Sequence, residues 1–122
     1  MSDIAEVVAN YFEMWNENNP QRRRAVIEKV WSPEASSVDP LNAVSGWDGI
    51  DGMVAGLQST YPGHRFRQSS EIDEHHDRIR FGWEFTDADG TVQLVGLDVV
   101  RLDDEGRFAD LTGFFGAAPG SA

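Results

Sequence analysis

The sequence has no cysteine, few basic side chains and no long apolar run, and each absence narrows the possible functions. Without cysteine, disulfides, a thiolate nucleophile and zinc sites with sulfur ligands are excluded. The 10 basic and 21 acidic residues give a net charge of −11, which disfavours binding to nucleic acid or to an anionic membrane surface. The sequence has no stretch of about 18 apolar residues, so it predicts no transmembrane helix. The acidic N-terminus does not resemble a signal peptide, so a cytoplasmic location is the default expectation.

The first half of the chain has the apolar spacing of amphipathic helices. Asp3 is the predicted cap of the first helix, and Asn19-Pro20 is a typical start for the second. The predicted elements of this half are helices over 4–15, 20–31 and 47–61, a short strand at 36–39 and a loop at 40–46.

From residue 64 onward, the apolar spacing changes to a period of two, which predicts strands. Acidic runs ending in glycine at 87–90 and 103–106 are turn signals between these strands. The predicted strands are at 64–74, 77–87, 91–102 and 107–116. Helices followed by an antiparallel meander indicate an α+β fold. We predict a single domain over 1–116 and a flexible tail at 117–122.

Asp98 is the most informative residue, because it lies in the most apolar stretch of the chain. A buried carboxylate must be paired, hydrogen-bonded or protonated. Pairing Thr86 with Thr91 and Leu102 with Arg107 places Asp98 on an inner face without a cation. That face is predicted to carry Ile79, Phe81, Trp83, Phe85, Leu94, Gly96, Asp98, Val100, Ala109, Leu111 and Phe115. Gly96 and Gly113 side by side would leave room beside Asp98.

The opposite face of the sheet is predicted to mix apolar and charged side chains, which suits a homodimer interface. Its predicted apolar members are Val95, Leu97, Val99, Phe108 and Phe114. A register error of one residue would turn Asp98 to this face, where Arg80 or Arg101 could pair with it. The sequence leaves both arrangements open.

Four short motifs occur in an order that is typical of a known family. They are Val7-Val8 with Tyr11, Val38-Asp39-Pro40, Asp98 in a long strand, and Phe115-Gly116. In these motifs the chain resembles the NTF2-like superfamily, and most closely the SnoaL-like and ketosteroid-isomerase-like proteins. The resemblance implies an NTF2-like cone, with three N-terminal helices packed on a strongly curved antiparallel sheet around a pocket.

The resemblance also implies roles for three polar residues. Asp39 would be a catalytic base, while Tyr11 and a protonated Asp98 would bind a developing enolate. The implied activity is proton transfer alpha to a carbonyl without cofactor or metal, as a double-bond isomerisation or an aldol-type cyclisation. The implied ligand is a small apolar carbonyl compound. The alternatives are a non-catalytic protein that binds an apolar metabolite, and a protein-interaction domain.

Large apolar side chains exceed what a small core needs, so some are predicted to line the cavity. The predicted pocket residues are Trp15, Trp31, Met53, Phe81, Trp83, Phe85 and Phe115. The polar candidates also have structural interpretations, since Asp39 before proline is an ordinary turn residue and Tyr11 suits a core.

The histidines are the remaining candidates for chemistry. His75 and His76 look like a metal or acid–base pair. However, adjacent strand residues point to opposite faces, which favours surface histidines instead. His64, directly after a Pro-Gly turn, is predicted to be exposed.

Overall fold

The computed structural model describes residues 3–116 and Gly120. The predicted tail at 117–122 lies outside the described residues, apart from Gly120. The helices are α1 (Ile4–Asn16), α2 (Pro20–Val30) and α3 (Gly46–Thr60). The strands are β1 (Trp31–Val38), β2 (Ala43–Ser45), β3 (Arg65–Gln68), β4 (Asp73–His75), β5 (Arg78–Thr86), β6 (Val92–Leu102) and β7 (Phe108–Phe115).

The first two helices begin at the caps that the sequence predicts. The Asp3 carboxylate accepts the backbone N–H of Ala5, and the Asn19 side chain accepts those of Gln21 and Arg22. These bonds satisfy N–H groups that have no partner within the first helical turn. Both predicted helix starts are confirmed.

The segment after α2 differs from the prediction. Trp31 belongs to β1 and not to the helix, and β1 continues through Pro33. The register between β1 and β7 is irregular between Trp31 and Ser36, and an irregularity tolerates the missing N–H of proline. The predicted loop at 40–46 contains the short strand β2.

The strands form one sheet in the order β2-β1-β7-β6-β5-β3, and β4 also pairs with β5. The predicted antiparallel meander of β5, β6 and β7 is confirmed. However, β1 runs parallel to β7, so the sheet is mixed. Register irregularities interrupt three of the strand pairs, and such bulges increase the local twist and bend a sheet. The helices contribute to one core with the inner face of this curved sheet, as the α+β cone requires.

The register of the meander is shifted by two residues from the predicted one. Asp98 pairs with Phe81 and Gly113, and not with Ile79 and Leu111. An irregularity near each turn accounts for the shift. Because the shift is even, Asp98 stays on the inner face, where it is only 4% exposed.

The predicted position of Phe108 on the outer face of the sheet is wrong. The sequence predicts this side chain on the outer face, but it is fully buried and contacts the rings of Tyr11 and Trp31. Leu102 pairs with Phe108 beyond an irregularity that follows Arg101. The extra residue reverses the alternation at this point, so Phe108 turns inward.

The outer face retains an apolar stripe. Its exposed or half-buried members are Val38, Val95, Leu97, Val99 and Phe114. The homodimer through this face stays a prediction. None of the three described helices combines the length and the apolar character that crossing a bilayer requires.

Candidate functional site

A cavity of about 350 Å³ is lined by residues of α1, α3 and the inner face of the sheet. Tyr11 from α1, Asp39 from the turn after β1 and Asp98 from β6 all line it. The remaining wall is rich in aromatic residues, with Phe12, Trp15, Tyr61, Phe66, Trp83, Phe85 and Phe115. The three residues that the sequence singles out for catalysis therefore reach one apolar space from three separate parts of the chain.

Only part of the predicted pocket lining is found in the cavity wall. Trp15, Trp83, Phe85 and Phe115 line the cavity.

Trp31, Met53 and Phe81 belong to the core instead, and this part of the prediction is wrong. Trp31 is fully buried and its Nε1 donates to the sulfur of Met14 at 3.2 Å. Phe81 packs edge-on against Tyr11, so it supports the cavity wall without reaching the cavity. Met53 is buried on the inner side of α3.

Two side-chain donors hold Asp98. Tyr11 Oη donates to Oδ2 at 2.8 Å, and Trp83 Nε1 donates to Oδ1 at 3.2 Å. Gly96 pairs with Trp83 across the two strands, and a side chain at Gly96 would overlap the indole ring. The glycine therefore allows the indole to lie across β6 and to reach Asp98.

Burial makes the Asp98 carboxyl a weaker acid than an exposed aspartate. It raises the pKa of Asp98 from 3.8 to about 7, although the hydrogen bonds from Tyr11 and Trp83 lower it. The charge of Asp39 adds to the rise. Burial, followed by the charge of Asp98, raises the pKa of Tyr11 well above its ordinary value, so the phenol keeps its proton. Near pH 7, Asp98 is present in both forms, and the protonated form can donate to a bound oxygen atom.

Asp39 lies in a different setting, a turn at the edge of the sheet. Its Oδ1 accepts the backbone N–H groups of Leu41 at 2.8 Å and Asn42 at 2.9 Å. The Asn42 side-chain nitrogen lies 3.2 Å from Oδ1 and 3.3 Å from Oδ2. Asp39 is thus a turn residue, as one interpretation predicts, and its side chain also lines the cavity.

Gly113 lies beside both acidic side chains. A Cβ at this position would lie 3.0 Å from Asp98 Oδ1 and 3.2 Å from Asp39 Cβ. These two atoms are therefore no farther apart than the sum of those distances. Because both side chains line the same cavity, one bound molecule can contact both.

The predicted site lacks four polar residues of the wall, Ser37, Asn42, His64 and Gln93. His64 is half-buried and lines the cavity, although the sequence predicts exposure. His64 and Phe66, another wall residue, are two positions apart, so their side chains are expected on the same face. This alternation could have predicted that His64 points into the cavity. The signal for Asn42 is its spacing, since Asp side chains in turns accept N–H groups two and three residues ahead.

The His75–His76 pair lies away from the cavity, in the turn between β4 and β5. The two Nδ1 atoms are 3.2 Å apart, because His76 has a left-handed backbone with φ of 52°. The side chains of His75 and His76 therefore do not point to opposite faces, and the prediction that they do is wrong at this turn. Both histidines are exposed, and the described part of the chain contains no group of three or more residues suited to a metal ion.

Comparison with known proteins identifies the family of this fold and site. A profile of the SnoaL-like domain matches residues 8–111. A SnoaL-like family protein from Agrobacterium tumefaciens, proposed to be an isomerase, is 32% identical with a TM-score of 0.89, over 96% of this chain and 100% of that one. Among curated proteins, no significant match is found.

More distant structures share the fold alone. A proposed SnoaL-like polyketide cyclase from Jannaschia is 18% identical with a TM-score of 0.74, over 92% of this chain and 84% of that one. An NTF2-like protein of unknown function from Exiguobacterium is 18% identical with a TM-score of 0.73, over 92% and 99%.

Proposed function

The chain belongs to the SnoaL-like family of the NTF2-like superfamily, and we propose that it transfers a proton alpha to a carbonyl group without a cofactor. One observation carries the proposal: Asp39 and the hydrogen-bonded pair of Tyr11 and Asp98 line one cavity, and Gly113 lies beside both acids. Enolisation requires a base on one side of the substrate and hydrogen-bond donors on the other. This arrangement offers both.

In the proposed reaction, Asp39 takes a proton from the carbon next to the carbonyl. The electron pair of the broken C–H bond moves onto the carbonyl oxygen, which accepts a hydrogen bond from protonated Asp98 and a second from Tyr11, whose single O–H turns from Asp98 to the substrate. Return of the proton to a different carbon completes a double-bond isomerisation. Attack of the enolate carbon on a second carbonyl, whose oxygen takes up the proton held by Asp39, completes an aldol-type cyclisation. The relatives proposed as an isomerase and as a polyketide cyclase fit these two outcomes.

Deuterium exchange tests the proton transfer without the natural substrate. β-Tetralone, a two-ring ketone with acidic alpha protons, is incubated with the protein in D2O, and exchange is followed by NMR. Asp39→Asn should slow the exchange by about 10²–10⁴-fold, the range for loss of a general base. The matched control is Asp48→Asn, which removes a 94% exposed carboxylate in the first turn of α3. Equal exchange by the wild type and Asp39→Asn would rule out the proposed base.

A binding protein for an apolar metabolite is the second candidate. Its support is that the Asp39 carboxylate accepts the backbone N–H groups of Leu41 and Asn42. This is a structural role in the turn, and it requires no catalysis. Binding of β-tetralone without faster exchange would identify this function. The protein-interaction domain has less support, because it predicts a filled interior where the structure has a cavity of about 350 Å³.

A second copy of the chain is the partner that we propose for the outer face. An exposed apolar patch with a polar rim is typical of such interfaces. The stripe that contains Val95 and Phe114 has this character, with the ion pair of Arg101 and Asp110, 2.8 Å apart, on the same face. The cytoplasmic location stays a prediction from the sequence.

A further inference from the structure

The cavity has a second polar region, which the proposed reaction does not use. His64 and Gln93 line the cavity near its exposed edge, where Tyr61 and Leu94 are 47% and 36% accessible to solvent. The His64 ring stacks on Phe85 with centroids 5.1 Å apart and an angle of 30°. The stacking holds a polar ring at the rim of an otherwise aromatic wall.

The hydrogen bonds of His64 leave one ring nitrogen available. Nδ1 lies 3.4 Å from the carbonyl oxygen of Pro62, which assigns the proton to Nδ1. Nε2 is then an acceptor, and no described residue hydrogen-bonds to it. The Gln93 amide nitrogen donates to Asp87 at 3.2 Å, and its oxygen is a further acceptor on a residue of the cavity wall. Both residues thus offer acceptors suited to a hydroxyl group of a ligand.

The strand register gives the distance between the two polar regions. Asp98 pairs with Phe81, and Phe85, on which His64 stacks, lies four residues farther along β5. Four strand residues span roughly 13 Å. A hydrogen bond of about 3 Å at each end leaves roughly 7 Å between the two oxygen atoms of a ligand that reaches both regions.

The cavity volume limits the skeleton between these oxygen atoms. A protein cavity of about 150 Å³ holds one benzene molecule. The cavity here, at about 350 Å³, is a little more than twice as large. The cavity therefore has room for two rings and is too small to enclose a four-ring steroid. The wall between the polar regions, with Trp15, Phe66 and Trp83, suits a flat apolar skeleton.

We propose that the ligand is a two-ring ketone with a hydroxyl group on the ring far from the carbonyl, and that His64 binds this hydroxyl. The inference rests on the proposed function for the position of the carbonyl at Tyr11 and Asp98. His64 is thus a specificity residue at the rim, and it takes no part in proton transfer.

A matched pair of ketones tests this assignment by calorimetry. The probes are β-tetralone and its phenolic derivative with the hydroxyl on the far ring. The wild type should bind the phenolic ketone about fivefold to tenfold more tightly, the usual gain from one added hydrogen bond. His64→Phe keeps an aromatic ring on Phe85 but has no acceptor. It should bind both ketones with the affinity that the wild type has for β-tetralone.

His75→Phe is the control, because it replaces an exposed histidine outside the cavity and should keep the wild-type preference. Equal affinity of the wild type for both ketones, binding of neither, or a preference that persists in His64→Phe would overturn the proposal. Its failure is separate from that of the proposed function. The hydroxyl preference is a difference in binding, whereas the role of Asp39 is measured as deuterium exchange.

Discussion

Asp98 and Asp39 have the same type of side chain, but they lie in opposite environments. Asp98 lies inside a long strand, is 4% exposed, and is held by the side chains of Tyr11 and Trp83. Asp39 lies in a turn, where the backbone N–H groups of Leu41 and Asn42 hold its carboxylate. The strand offers little solvation to an anion, whereas the turn offers two fixed N–H donors. The local backbone thus decides which carboxyl suits an acid and which suits a base.

The comparison shows why Gly113 matters as much as the two acids. Two carboxyls in direct contact share one proton and titrate as a pair, so neither has a fixed role. Two carboxyls far apart cannot act on one substrate. Gly113 has no side chain, so Asp98 and Asp39 can lie near each other at the wall of one cavity. Separate environments around one shared space are the general condition for assigning an acid and a base.

The pH dependence of exchange should show the largest effect. Asp98 has a pKa of about 7, and only its protonated form donates to the enolate oxygen. Enzymatic exchange in the wild type should therefore fall as the pH rises through about 7, by roughly 10²-fold between about pH 6 and about pH 9. Exchange without protein is measured at each pH and subtracted, since hydroxide catalyses the same reaction.

Asp98→Asn removes the ionisation and keeps a neutral side chain of the same size. This variant should be slower than the wild type near pH 6, but its rate should lack the decline above pH 7. A decline of the same size in Asp98→Asn would assign the titration to another group. Asp110→Asn is a matched control, because it removes a half-exposed carboxylate on the outer face and should leave the profile unchanged.

Local signals in the sequence predict most of the fold. The caps at Asp3 and Asn19 place the starts of the first two helices correctly, and the two acidic turns give the antiparallel order of β5, β6 and β7 but not its register. The parallel pairing of β1 with β7 carries no such signal, because the two strands are separated by most of the chain. Bulges are also difficult to predict, since an extra residue is stabilised by tertiary packing. The bulge beside Phe108 reverses one face for this reason.

The sequence correctly predicts the face on which a site residue lies where the alternation of strand side chains alone determines that face. An even register shift left Asp98 on the inner face, although its cross-strand partners were wrong. Core and cavity residues could not be separated, because Trp31 and Trp83 have the same hydrophobicity and differ only in what packs above them. His64 was missed because a turn signal before it outweighed the alternation with Phe66.

Gly113→Ala should narrow the space that separates the two acids. The new methyl group would lie 3.0 Å from Asp98 Oδ1 and 3.2 Å from Asp39 Cβ, so both side chains must move by a few tenths of an ångström. Exchange of β-tetralone should fall about tenfold, because small misplacements of catalytic groups are costly.

Gly52→Ala is the control for this substitution. A methyl group at this position of α3 meets no atom within 4 Å, and alanine favours a helix over glycine by roughly 0.5–1 kcal/mol. Exchange should stay at the wild-type rate, and the melting temperature should rise. Wild-type exchange in Gly113→Ala would show that the two carboxyls need no defined separation.

Asn42→Ala should have the smallest effect, because it loosens Asp39 without removing it. The variant loses the side-chain nitrogen near both carboxylate oxygens, but keeps the backbone N–H groups of Leu41 and Asn42. The loss of one hydrogen bond should slow exchange about fivefold. Asn18→Ala, at an exposed position between α1 and α2, should not change the rate. An unchanged rate in Asn42→Ala would mean that the backbone alone orients the base. A loss as large as that of Asp39→Asn would mean that the Asn42 side chain determines whether the turn presents Asp39 to the cavity.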